Sequence, residues 1–177
     1  FSSTSDFTIS VLFSQSQATA GPFGLYTKWN NSVGGDWALQ LSYGKLLASR
    51  NYSPWTYTQA QANDINRKYL ATYSYTRATN TIKLYLNGSL LGSATVPTST
   101  YDAVPLIGAT FTNSVVSSYF KGDIYSASVF DNALTLAQIQ ALFSNLQPTS
   151  KVVFSANSGS GTMSDQSFTN GNSVSLS

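Results

Sequence analysis

Thr81-Ile82-Lys83-Leu84-Tyr85-Leu86-Asn87-Gly88-Ser89-Leu90-Leu91 is the stretch on which the fold turns. Ile82, Leu84 and Leu86 alternate with Thr81, Lys83 and Tyr85, the two-residue period of a strand with one face buried. Asn87-Gly88 then interrupts, and apolar residues resume at Leu90 and Leu91. A two-residue hairpin turn needs positive φ at both positions, which Asn and Gly tolerate best, so the pair predicts an antiparallel hairpin.

The same period recurs on either side. Tyr69 to Thr76 reads as a strand that meets Thr81 to Leu86 around Arg77–Asn80. Upstream, Phe7, Ile9, Val11 and Phe13 oppose Thr8 and Ser10, which predicts a half-buried strand. Gly24 to Trp29 follows, ended by a polar loop from Asn30 to Gly35. Trp37, Leu39 and Leu41 then alternate up to Tyr43-Gly44, with Lys45 to Ser49 as the returning partner. Asn51 to Asn66 is the longest stretch without a period. Downstream, strands are expected near Pro105 to Phe111 and Lys121 to Phe130.

One helix is expected after them. Thr135-Leu136-Ala137-Gln138 has the form of a capping box, in which the Thr hydroxyl and the Gln side chain each satisfy the other's backbone amide. Leu134 and Ile139 are spaced as a hydrophobic staple, and Leu136, Ile139, Leu142 and Phe143 as one apolar stripe. Short strands punctuated by turns, with a single helix near the end, predict an all-β antiparallel sandwich.

Composition narrows the chemistry. The 177 residues contain no His, no Cys and no Glu, and all seven acidic residues are Asp. An imidazole acid or base, a thiolate nucleophile and a His or Cys zinc site are therefore excluded. Charged residues make up 9 % against roughly 25 % in an ordinary soluble domain, so solubility rests on hydroxyls and amides. That surface suits an extracellular, cell-surface or virion-surface protein. The net charge of +2 is spread along the chain, with only Arg67-Lys68 adjacent, which gives nucleic acid no clustered footprint. No apolar run nears the roughly 20 residues of a membrane-spanning helix, so no membrane insertion is expected.

Candidate site residues come from the aromatics. Sugar rings present apolar C–H faces that stack on exposed Trp or Tyr, while Asn and Gln bind the hydroxyls. Trp55, Tyr57, Tyr52 and Asn51 share the irregular 51–66 stretch, and Trp29 precedes an Asn-rich loop. Trp37 alternates with Leu39 and Leu41 and is assigned to the core. Asp36, Asp64, Asp102, Asp123 and Asp131 are candidates for glycoside hydrolysis only because they are carboxylates. Asp in such turn contexts is usually a cap for backbone amides, so no catalytic residue and no metal ligand is assigned. No cofactor is expected, and calcium would require loops to converge several oxygens, because no Asp-x-Asp-x-Asp string is present.

Three stretches carry a family resemblance. Asp6 to Val11, the Thr81–Leu90 hairpin, and Lys121-Gly122-Asp123-Ile124-Tyr125 through Phe130 to Ile139 resemble, in order, the early strand, central hairpin and closing strand plus helix of laminin-G-like, concanavalin A-like jelly-roll domains. The resemblance implies a jelly-roll β-sandwich over residues 1–147 with one short C-terminal helix. Tyr125 and Ser126 stand where relatives carry acidic residues that order that edge and sometimes a calcium ion. The glucanases of this fold use paired Glu, and the legume-lectin metal site uses Glu and His, none of which occur here. After a linker at 148–150, residues 151–177 are similar to the first half of a Listeria-Bacteroides-type surface β repeat. That similarity implies a fragment of a longer modular surface protein.

The function expected is a non-catalytic, lectin-like adhesion or carbohydrate-binding module, with a glycan or a neighbouring surface protein as partner. The alternative is a purely structural module of a surface fibre, filament or virion. A glycan-active enzyme is the third reading, weakened by the missing Glu and His.

Overall fold

The computed structural model describes residues 5–17, 21–30, 34–50, 56–61, 64–98, 104–112, 115–146, 149–152 and 166–169. In chain order the strands are β1 (Phe7–Gln15), β2 (Phe23–Asn30), β3 (Gly34–Ser42), β4 (Lys45–Arg50), β5 (Thr56–Gln61), β6 (Lys68–Thr76), β7 (Thr81–Leu86) and β8 (Ser89–Thr95). They continue with β9 (Leu106–Ile107), β10 (Thr110–Thr112), β11 (Val115–Ser117) and β12 (Gly122–Phe130), then helix α1 (Leu136–Leu146), β13 (Thr149–Val152) and β14 (Gln166–Thr169). Sheet 1 has the order β12-β1-β6-β7-β8 and sheet 2 the order β5-β4-β3-β2-β9. β10 pairs with β11, and β13 pairs with β14. Every pairing is antiparallel, giving the all-β sandwich that the alternation predicts.

The two sheets meet across one apolar core. Phe7, Ile9, Val11 and Phe13 from β1 interdigitate with Tyr69, Ala71, Tyr73 and Tyr75 from β6, and with Trp37, Leu39 and Leu41 from β3. Each fully buried large side chain of this kind contributes roughly 1.5–3 kcal/mol of transfer free energy, so β1 alone anchors the sandwich. Trp37 lies in that core, as its alternation with Leu39 and Leu41 predicts.

β1 departs from the half-buried expectation. Its other face, Thr8, Ser10 and Ser14, is buried as well. Sheet 1 therefore has a second covered face, and the hydroxyls on it need partners. The Ser10 and Thr72 hydroxyls lie 2.6 Å apart across β1 and β6. Thr8 Oγ1 donates to the Asn132 carbonyl at 2.9 Å and accepts from the Leu134 amide at 2.9 Å. One hydroxyl thus pins the chain where it turns into α1.

The helix starts as predicted. The Thr135 amide donates to Gln138 Oε1 at 2.8 Å, and the Gln138 amide donates to Thr135 Oγ1 at 3.3 Å. Ile139 is fully buried, and Leu142 and Phe143 are half-buried. Leu136, placed in the stripe by spacing, is 47 % exposed, because the contact face begins one turn beyond the cap.

The central hairpin is in place, with Asn87 at φ 51° and Gly88 at φ 77°. Asn87 Oδ1 also accepts the Leu70 amide at 2.9 Å, which locks the turn to β6. Two expectations change. The 51–66 stretch contains strand β5, whose polar sequence lacks the apolar alternation because it is a sheet edge held by backbone pairing to β4. The strand expected near 105–111 is broken at Gly108 (φ 73°) into β9, on the edge of sheet 2, and β10, in a separate hairpin. That hairpin crosses β2: the Ala109 carbonyl accepts the Thr27 hydroxyl at 2.9 Å and occupies the space where a Cβ on Gly24 would lie. On this same edge of the sandwich, where Ile124 of β12 lies against Gly108, the β1–β12 register slips between Leu12 and Phe13, leaving Tyr125 as an extra residue in the ladder.

Replacing Asn87-Gly88 with Ala-Ala is expected to cost about 1–3 kcal/mol, since both residues are forced to positive φ and an acceptor is lost. Urea denaturation reads this, and an unchanged midpoint would refute the turn's role. Thr8→Val should cost a further about 1–3 kcal/mol by orphaning the Leu134 amide and Asn132 carbonyl, whereas Thr8→Ser should keep most of the stability.

Candidate functional site

Sheet 2 carries the elements that hold the sequence-predicted residues. Trp29 lies on β2 opposite Gly35, and Tyr57 lies on β5 opposite Leu47. Their side chains, and the whole of Asn51, Tyr52 and Trp55, lie outside the described residues. The backbone register still locates their attachment points. Trp37 pairs with Arg50 and Ala48 with Thr56, so β4 ends and β5 begins at the end of sheet 2 where β2 turns into β3. Trp29 and both flanks of the 51–55 connection therefore share one end of the sheet. Tyr57 is set one residue further along β5.

The described residues beneath that end form a cation–aromatic cluster. Tyr26 and Trp37 stack with centroids 5.1 Å apart, Phe7 lies 5.7 Å from Trp37, and Phe7 lies 5.4 Å from Tyr75. The Arg50 guanidinium sits 4.0 Å from the Tyr75 ring centroid. Arg50 is only 1 % exposed and Lys28 4 %. A desolvated cation over an aromatic face is stabilised by about 2 kcal/mol, so Arg50 fastens β4 to β6 across the core. The Tyr75 hydroxyl is held in turn by Asn80 Oδ1 at 2.8 Å. Two buried cations among aromatic rings therefore underlie this end of sheet 2.

The scattered charges, taken only for the basic footprint they do not form, do not announce this cluster. The signal was present in parity. Lys28 continues the inward set of Tyr26, and Arg50 continues Leu46 and Ala48.

The far end of sheet 2 carries a second feature. A shallow depression of about 350 Å³ is lined by Ser42, Tyr43, Lys45 and Leu47 at the β3–β4 hairpin. Leu47 is the register partner of Tyr57, so the depression borders one of the sequence-predicted positions. A smaller hollow of about 130 Å³ lies between α1 and the outer face of sheet 1, with Leu70, Phe130, Leu142 and Leu146 in its wall.

Two of the described carboxylates, Asp6 and Asp64, serve the fold. Asp6 Oδ1 accepts the Arg77 amide at 2.7 Å, and Asp64 pairs with Arg67 at 2.9 Å. The Arg67 hydrogen bond, with help from Tyr69, holds the Asp64 carboxyl below its usual range, but the pair is exposed and solvent screens it. Among the described residues, no group of three or more metal-ligating side chains converges.

Residues 1–140 match the family model of the concanavalin A-like lectin/glucanases superfamily, of laminin-G type. No curated protein matches in sequence. Among solved structures, the chain is similar to the CBM40 of a Ruminococcus gnavus IT-sialidase bound to α2,3-sialyllactose. The TM-score is 0.66 at 17 % identity, covering 78 % of this chain and 82 % of that one. It is also similar to the binding domain of botulinum neurotoxin DC in complex with SialylT (TM-score 0.58, 15 % identity, 81 % of this chain and 36 % of that one). The same toxin domain in complex with rat synaptotagmin II gives a TM-score of 0.55 at 16 % identity, with the same two coverages. At such identities the likeness is one of fold.

The buried phenols make stability depend on alkali. Desolvation holds Tyr26, Tyr69 and Tyr85 above the ordinary tyrosine value of 10.0, with the Lys28 charge opposing the shift at Tyr26. The folded chain then keeps protons that the unfolded chain has released, so their contribution is complete below pH 10 and is lost above it. Urea melts at successive pH values should show stability falling as pH rises past about 10, and a flat profile there would contradict these burials.

Proposed function

The chain belongs to the concanavalin A-like lectin/glucanases superfamily, and on that premise we propose that it is a non-catalytic carbohydrate-binding module of a larger modular surface protein, displayed outside a cell or on a virion. The observation that carries this reading is the fold's likeness, over 78 % of the chain, to a carbohydrate-binding module holding sialyllactose. The reactive inventory supports it: a chain with no His, Cys or Glu has little for acid–base or nucleophilic work but much for stacking and hydrogen bonding. The residues proposed to contact the glycan are Trp55, Tyr57, Tyr52, Asn51 and Trp29; the backbone of Trp29 and the strand ends that flank 51–55 share one end of sheet 2.

No cofactor enters this reading, and residues 151–177 are read, from sequence, as a partial small β repeat following the sandwich. A protein partner is the second reading, favoured by the toxin domain of this fold found in complex with rat synaptotagmin II.

A glycan array tests the assignment. The chain should bind at least one oligosaccharide, and Trp55→Ala should weaken that binding about tenfold with the melting temperature unchanged. Binding should survive EDTA, and its loss on chelation would bring calcium into the site. Failure to bind any glycan would leave the structural or protein-binding role, and turnover of any polysaccharide would end the non-catalytic assignment.

A further inference from the structure

We propose that the tip of the β3–β4 hairpin is a sugar-contact site in its own right, with Tyr43 as stacking platform and Lys45 and Ser42 as polar contacts for a sugar bearing an anionic group. This rests on the carbohydrate-binding reading but not on its location, since the Trp29 backbone and the strand ends flanking 51–55 belong to the opposite end of sheet 2.

The chain builds one turn twice. Asn87-Gly88 takes φ 51° and 77°, and Tyr43-Gly44 takes φ 49° and 70°, so both are two-residue turns with positive φ at each position. Asn suits the first position because its small polar side chain tolerates left-handed backbone, and Asn87 also uses its carboxamide to hold Leu70. Tyr is a poor choice there, and a bulky residue at such φ is an outlier. Among the described residues, its side chain makes no bond that would offset that cost. Tyr43 is 72 % exposed, and no hydrogen bond or ring contact engages it among the described residues. A strained, exposed aromatic held on a short rigid turn is the mark of a residue kept for an external contact.

The surroundings fit a sugar. The depression of about 350 Å³ beside Tyr43 falls within the range of small-ligand sites. Leu47 gives it an apolar floor, the Ser42 hydroxyl can donate or accept, and the Lys45 ammonium favours a carboxylate or sulfate on the ligand. A stable protein contact would need roughly 800 Å² per partner, far more than one ring flanked by Ser and Lys.

Tyr43→Asn tests the idea, because it recreates the better turn while removing the ring. The chain and its variants are titrated against immobilised sialyllactose, a sulfated oligosaccharide and neutral lactose. Tyr43→Asn should raise the melting temperature and weaken acidic-sugar binding about tenfold or more, while Tyr43→Trp should retain it. Tyr43→Gly, equally free at positive φ, guards against a particular effect of Asn and should lose binding likewise. Unchanged affinity in Tyr43→Asn with binding lost in Trp55→Ala would overturn this site and leave the carbohydrate-binding function standing. Absence of binding by the unaltered chain to all three sugars would overturn both.

Discussion

The structure depends on a sheet that is covered on both faces. Sheet 1 turns Phe7, Ile9, Val11 and Phe13 toward one layer and Thr8, Ser10 and Ser14 toward the other, and none of them remains in water. Apolar side chains accept such burial without further conditions; hydroxyls do not, because an unpartnered buried donor or acceptor costs about 1–3 kcal/mol. Thr8 resolves this at the point of greatest leverage by bonding the backbone just ahead of α1. The helix is then held in position from its first turn, Ile139 is seated, and the Gly88 turn fits against Gln140 and Phe143. Core, cap and hairpin thus support one another.

Much of this was legible in the sequence because it follows from local rules. Alternation located β1, β3, β6 and β7, Asn87-Gly88 located a turn, and Thr135 with Gln138 located a helix start. The misses have physical causes. β5 is an edge strand with a polar sequence, so Thr56 to Gln61 shows no hydrophobic period although it pairs with β4. The second covered face of β1 could not be inferred from Thr and Ser, which look the same whether they face solvent or a helix. Gly108 divides one apolar run between two sheets through a positive φ that no neighbouring pattern announces.

The candidate site was legible to a lesser degree. Sequence pointed to Trp29 and the aromatics following Arg50, and the β-ladder brings their flanking strands to one end of sheet 2. What it missed is the support beneath. Lys28 and Arg50 count as two charges among nine in a composition, yet their parity along β2 and β4 places them inside, against Tyr26, Trp37 and Tyr75. Tyr43 was quoted only as the end of a strand, since the cost of its backbone appears only when φ is known.

The slip in register at Tyr125 bears on how such a domain tolerates crowding. β12 forms one outer margin of sheet 1, and an unbroken nine-residue margin would invite another chain's margin to zip onto it. The extra residue divides the margin into Gly122–Ile124 and Ser126–Phe130, whose outward-facing amides and carbonyls are out of step. A newcomer aligned with one segment is misaligned with the other. Two copies meeting along this margin would therefore not fuse into one continuous ribbon.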